Sequence, residues 1–118
     1  LGKWWNGRTP NWPMPLGGNV VRRDLGEDVM RDITKYTKMS IEYALKSPDE
    51  ALEFAKAWGR GIDDDTNKEF VGMYVNDRTI DYKEDGRAAI RLFIKEGQHI
   101  GMIRNDFDTA TMRFIGEP

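Results

Sequence analysis

His99 is the one side chain of the sequence whose ordinary pKa lies near neutrality, which makes it the first candidate for a general acid or base. It follows a helical run, where an imidazolium complements the helix dipole, and no partner base or nucleophile is evident. A surface role is the preferred reading. Asp63-Asp64-Asp65 places three carboxylates in a row. A calcium loop alternates its ligands and carries glycine at its sixth position, so the run fits a helix N-cap and first turn better than a metal site. Arg22 and Arg23, close to Gly17-Gly18, suit an anion, yet side chains alternate along a strand and only one of the two can face such a site. The chain carries no phosphate loop, no GxGxxG, no HExxH and no GxSxG. These residues alone specify no reaction.

What the sequence does specify is a shaped loop. In Pro13–Gly26, PMPLGGNVVRRDLG, Pro13 and Pro15 fix φ and push Trp12 and Met14 into extended backbone. Gly17-Gly18 lets the chain turn or lets a ligand approach closely. Asn19-Val20-Val21-Arg22 reads as a short strand, since adjacent β-branched residues favour a pleated surface, and Asp24-Leu25-Gly26 ends it. Loops at strand ends commonly line ligand sites. Upstream stand Trp4, Trp5 and Trp12, separated by turn residues 6–11. Trp4 and Trp5 cannot both face one way, so one packs inward and the other covers a neighbour or a flat ligand, packing being preferred.

The elements around this loop are helical. Glu27 to Lys46 spaces Val29, Ile33, Tyr36, Ser40 and Ala44 by three or four, with Met30, Thr37, Ile41 and Leu45 widening the stripe, which predicts a core-facing amphipathic helix. Ser47-Pro48-Asp49-Glu50 predicts a capping box and a new helix through Leu52, Phe54, Ala55 and Trp58, stopped by Gly59-Arg60-Gly61. A third helix carries Phe70, Met73 and Tyr74 as packing residues and fades at Val75-Asn76-Asp77. Thr79–Tyr82 reads as a short extended piece. A last helix runs from about Glu84 to Glu96, with Ala89, Ile90, Phe93 and Ile94 facing in and Gly97 ending it. Thr111–Ile115 reads as either a strand or a loose tail.

The totals narrow the classes. The 118 residues suit a single domain, 1–118. Charged residues make up 32%, with both signs interspersed and a net charge of −2, which argues against a nucleic-acid partner. Cysteine is absent, so thiolate metal sites and disulfides are excluded and a cytoplasmic location is the simplest expectation. No apolar run approaches a membrane span, so no membrane partner is expected. The first residues, Leu1-Gly2-Lys3-Trp4-Trp5, lack a starting Met and a signal-peptide pattern and read as the interior of a longer protein.

Two stretches carry a resemblance. Leu1–Gly26, with LGKWW, RT, PMPLG and RRDLG, resembles a segment of the 1,4-dihydroxy-6-naphthoate synthases of menaquinone biosynthesis. Ser40–Met102, with SIEYAL, PDEALEFA, WGRGIDDD, FVGMYVN and GRAAIRL, resembles the next segment of the same enzymes. The related chorismate dehydratases share the fold and a similar C-terminal region. The resemblance implies a type II periplasmic-binding-protein-like fold, of which this chain is a C-terminal fragment: a helix-rich α/β lobe with about four helices and one or two short strands. It implies cytoplasmic lyase chemistry of the futalosine pathway on cyclic dehypoxanthine futalosine, without a redox cofactor or metal. It also implies a histidine base in sequence that family members have and this chain lacks. His99 does not match that residue, so no catalytic residue is expected here and the fragment is expected to be inactive alone.

By position, the resemblance makes Pro15, Leu16, Gly17, Gly18 and Asn19 the substrate-lining residues, for a small aromatic substrate. The expected partner is the missing N-terminal lobe or a second copy in a homo-oligomer. Self-association is expected through the strand Asn19–Arg22, whose backbone would otherwise be unpaired, or through the tryptophans. A non-catalytic binding module and a strand-recruiting interaction module remain as alternatives.

Overall fold

Gly26, at φ +82°, turns the chain into its longest element, and the helix beyond it has the bounds its pattern predicts. The computed structural model describes residues 1–58 and 63–116. In order it contains α1 (Gly2–Asn6), a 3₁₀ turn (Arg23–Leu25), α2 (Glu27–Lys46), α3 (Pro48–Lys56), α4 (Asp64–Tyr74), α5 (Asp77–Ile80), α6 (Lys83–His99) and a 3₁₀ turn (Thr109–Thr111). Helix accounts for 64% of the described residues and none of them lies in a strand, which overturns the expected α/β class.

The reason lies in hydrogen bonding. A strand exists only where a neighbour accepts its ladder, and the described residues supply none. Residues 19–22 thus join no strand: 19–21 make no backbone hydrogen bond, Val20 is 99% exposed, and Arg22, extended at φ −67°, ψ 129°, accepts only from the Leu25 amide of the 3₁₀ turn. Thr79 has a local alternative. Its hydroxyl accepts from the Asn76 amide (3.1 Å) and donates to the Tyr74 carbonyl (2.8 Å), and the Asn76 side chain accepts from the Arg78 amide (2.9 Å). That capping box makes α5 where the sequence predicts an extended piece. Thr109–Thr111 is likewise a turn, capped by Asp108 on the Ala110 amide (2.9 Å).

The chain divides into two units. The first comprises Leu1–Val20 and Tyr82–Pro118. Its centre is Trp5, 1% exposed, whose ring meets Phe93 edge-on at 6.0 Å. Ala89 is fully buried in the core of the same unit. The tail returns to α6: Phe114 meets Tyr82 edge-on at 6.0 Å, and the Arg91 guanidinium lies 4.9 Å above the Phe114 ring and donates to the Met112 carbonyl. Gln98, buried, donates to the carbonyls of Arg104 (2.9 Å) and Phe107 (3.0 Å) and so holds the 104–107 bend.

The end of α6 corrects one expectation. Gly97 does not stop the helix. Gly101, at φ +74°, does: its amide donates to Gln98 and that of Met102 to Gly97, the Schellman pattern. Gly97 is instead a close-approach residue, because Ile103 lies where its Cβ would be.

The second unit is Val21–Asp81, in which α2 meets α3, α5 and the 3₁₀ turn. Met30 is its buried apolar side chain. Of the α2 stripe predicted to face the core, Met30 is buried and Ile41 and Ala44 are half-buried, while the rest is exposed, as are Phe54 and the predicted packing residues Phe70, Met73 and Tyr74. The predicted capping box at α3 does not form: Ser47 makes no side-chain cap, and the Glu50 carboxylate accepts from the Tyr43 hydroxyl instead (2.8 Å). Helix α3 ends at Lys56, so Trp58 lies beyond it. The predicted stop at Gly59-Arg60-Gly61 falls outside the described residues.

Asp63 caps α4 as expected, accepting from the Thr66 amide at 3.0 Å. That bond holds its carboxyl below the usual carboxylate range. The folded pKa is depressed, so the cap contributes fully above the ordinary Asp pKa of about 3.9 and is lost as pH falls through the folded value. An amide-resolved NMR titration is expected to show Thr66 moving only below pH ~3.9. Asp63→Ala is expected to speed Thr66 exchange at neutral pH, and an unchanged Thr66 would refute the cap.

Candidate functional site

The expected substrate-lining residues sit on a strip whose start is fixed and whose remainder is open. Trp5 is immobilised in the core, and its indole N–H donates to the Trp12 carbonyl at 2.9 Å. The Trp5 carbonyl accepts from the Thr9 hydroxyl (3.1 Å) and the Arg8 amide (2.9 Å), which folds residues 6–11 into the expected turn. Asn11 completes that turn in the left-handed region at φ +60°, which asparagine tolerates. The strip therefore leaves a rigid anchor at Trp12.

From there Pro13, Met14 and Pro15 are half-buried, and Leu16, Gly17, Gly18 and Asn19 are exposed. Among the described residues, 13–20 form no backbone hydrogen bond. The two prolines fix their own φ and restrict Trp12 and Met14, and the hold on Trp12 fixes where the strip starts. A side chain built at Gly17 would meet nothing within 4 Å, and one at Gly18 would meet only the Tyr82 hydroxyl at 4.0 Å. The glycines are not required by crowding within the chain. They leave bare peptide groups exposed, a surface on which a flat ligand or another backbone can lie against N–H and C=O groups.

The tryptophans divide as expected. Trp5 is structural, which removes it as a ligand wall. Trp4 is 42% exposed, with its ring 6.0 Å from that of Trp5. The Arg8 guanidinium lies 5.3 Å from the Trp4 ring centroid and forms an ion pair with Glu96 at 3.0 Å. Sequence reasoning does not single out Arg8. Its signal is its position four residues after Trp4, one turn further along the fold around Trp5. An aromatic face with a cation beside it suits an aromatic carboxylate in kind.

His99 is exposed in the last turn of α6. Arg22 pairs with Asp24 (2.9 Å) at the 3₁₀ turn. Among the described residues no group of His, Asp and Glu is arranged to hold a metal ion, and no helix is long and apolar enough to cross a membrane.

The comparisons with known proteins bear on the whole chain. A family model described as menaquinone biosynthesis matches residues 1–99. A 1,4-dihydroxy-6-naphthoate synthase of Thermus thermophilus is 36% identical over 102 residues, covering 86% of this chain and 37% of the relative. One from Streptomyces coelicolor is 28% identical over 103 residues, covering 87% of this chain and 36% of the relative. The chain thus spans a little over a third of the length of these relatives. No solved structure matches it.

Proposed function

Because the chain belongs to the menaquinone biosynthesis family, we propose that it contributes one part of a 1,4-dihydroxy-6-naphthoate synthase-type lyase acting in the cytoplasm on cyclic dehypoxanthine futalosine. The observation that carries this reading is the family match over residues 1–99. The match to the Thermus relative, which covers 37% of that protein, supports a second element: the chain is inactive alone and needs polypeptide equivalent to the remainder. Within this division of labour the strip Pro15–Asn19 lines the substrate. Its role is to bind and orient the aromatic end against exposed peptide groups, since it carries no group able to move a proton. Trp4 and Arg8 offer a stacking face and a cation for a carboxylate.

A hybrid tests this reading. The matched region of the Thermus relative is replaced by this chain, and turnover of cyclic dehypoxanthine futalosine is measured. The hybrid is expected to turn over and the chain alone is not. The double variant Gly17→Val, Gly18→Val is expected to raise the hybrid's KM roughly tenfold or more by keeping ligand off the backbone. Its fold is expected to survive, because both positions have room. A folded but inactive hybrid would reject the lyase reading. Unchanged kinetics in the double variant would reject the strip.

The unpaired backbone of residues 13–20 favours a second reading, a module that lends this strip as a strand to the sheet edge of a partner. Complexes that form equally well with and without a naphthoate ligand would favour it.

A further inference from the structure

Helix α2 carries two apolar stripes one residue out of step, and the described residues cover only one of them. Met30 is buried, and Thr34, Ile41 and Ala44 are half-buried against the rest of the second unit. The neighbouring stripe, Val29, Ile33, Tyr36, Ser40 and Tyr43, is exposed throughout, with Tyr36 at 63%. A helix that only served its own unit would need one stripe. The exposed set repeats with steps of four, three, four and three, the spacing of a coiled-coil seam.

We propose that this stripe is a homodimer seam, on which α2 of a second copy packs antiparallel about a two-fold axis near Met39. The inference goes beyond the lyase reading and does not depend on it. The occupant is set by self-complementarity, which an isologous contact requires and other partners do not. In an antiparallel register Tyr36 lies across from Ser40 of the second copy, large against small, and Ile33 lies across from Tyr43. Along the flank of the seam stand Asp32, Met39 and Lys46. Two-fold pairing sets Asp32 against Lys46 of the other copy, twice, and Met39 against itself. Parallel pairing would instead set Asp32 against Thr37 and Met39 against Ala44 and would leave Lys46 without an acidic partner. The charges therefore choose the direction as well as the partner. The helix is about 30 Å long, so the interface lies near the lower size bound of ~1,000 Å² for specific contacts, and the dimer is expected to be weak, with Kd on the order of 10 µM.

Sedimentation velocity of the 118-residue protein tests this, from about 5 to about 500 µM at low salt. The expected result is a concentration-dependent monomer–dimer equilibrium. Asp32→Lys or Lys46→Asp alone is expected to weaken it roughly threefold to tenfold, since symmetry counts each pair twice, and the two together are expected to restore it. Tyr36→Glu is expected to remove the dimer at all these concentrations, and Val20→Glu, on the extended strip, is expected to leave it unchanged. Circular dichroism checks that Tyr36→Glu stays helical, and the charge-swap pair decides the matter if it does not. A monomer throughout would overturn the proposal, as would a dimer broken by Val20→Glu or one indifferent to both charge reversals. Conversion to a 1:1 complex with polypeptide equivalent to the rest of the relatives, without self-association beforehand, would also overturn it.

Discussion

Trp5→Ala is expected to unfold the unit formed by the two ends of the chain. Among the described residues only Trp5, Met30 and Ala89 are buried apolar side chains, and Trp5 is the large one of the unit. Truncating a buried aromatic to alanine costs about 3–5 kcal/mol, and small domains have only ~5–15 kcal/mol in total. Trp5 also links three segments: its ring meets Phe93 on α6, its N–H holds Trp12, and its carbonyl holds Arg8 and Thr9. Trp5→Phe separates the two contributions. It keeps most of the apolar contact but leaves the Trp12 carbonyl without its donor, for an expected cost of about 1–2 kcal/mol because Trp12 is half-exposed and water can partly replace the bond. Urea titration monitored by NMR dispersion of residues 1–20 and 82–116 reads both. The hierarchy fails if Trp5→Ala shifts the midpoint no more than Trp5→Phe does.

Helices are legible wherever the signal is local. The bounds of α2 come from a glycine, two acidic residues and twenty residues of unbroken period, and the Asp63 cap comes from one side chain and one amide. The strands are not legible in the same way, because Val20-Val21 states a preference for a pleated surface without supplying a neighbour to pair with. The same limit applies to α2 and α4. Periodicity identifies the apolar stripe but not whether the chain contains what covers it, and it assigns Val29, Ile33, Phe70 and Met73 to a core that the described residues do not enclose. At the candidate site the prolines and glycines announce a shaped, open backbone, which is what stands there. Arg8 escapes notice because its place beside Trp4 depends on the turn through Thr9, a tertiary consequence of burying Trp5.

Gly97→Ala reverses sign with its neighbour. In an open helix interior, alanine in place of glycine stabilises by about 0.5–1 kcal/mol through backbone entropy. At Gly97 the added Cβ would lie 2.7 Å from Ile103 Cδ1 and 3.0 Å from Cγ1, too close for either atom to stay. Ile103 cannot simply swing out. It lies just past the Gly101 turn, and the two amides that fall on the Gly97 carbonyl, those of Met102 and Ile103, pin its backbone there. Overpacking of this kind costs about 1–3 kcal/mol, which exceeds the entropic gain, so Gly97→Ala is expected to destabilise by about 1–2 kcal/mol net. In an Ile103→Ala background the nearest remaining atom is the Cβ at 3.7 Å, an ordinary contact. There Gly97→Ala is expected to stabilise by about 0.5–1 kcal/mol, the helix propensity alone. The cycle of four proteins isolates a coupling of about 2 kcal/mol, well above the ~0.3–0.5 kcal/mol scatter of independent sites. Additive effects would mean that Gly97 is in the helix for some reason other than the approach of Ile103.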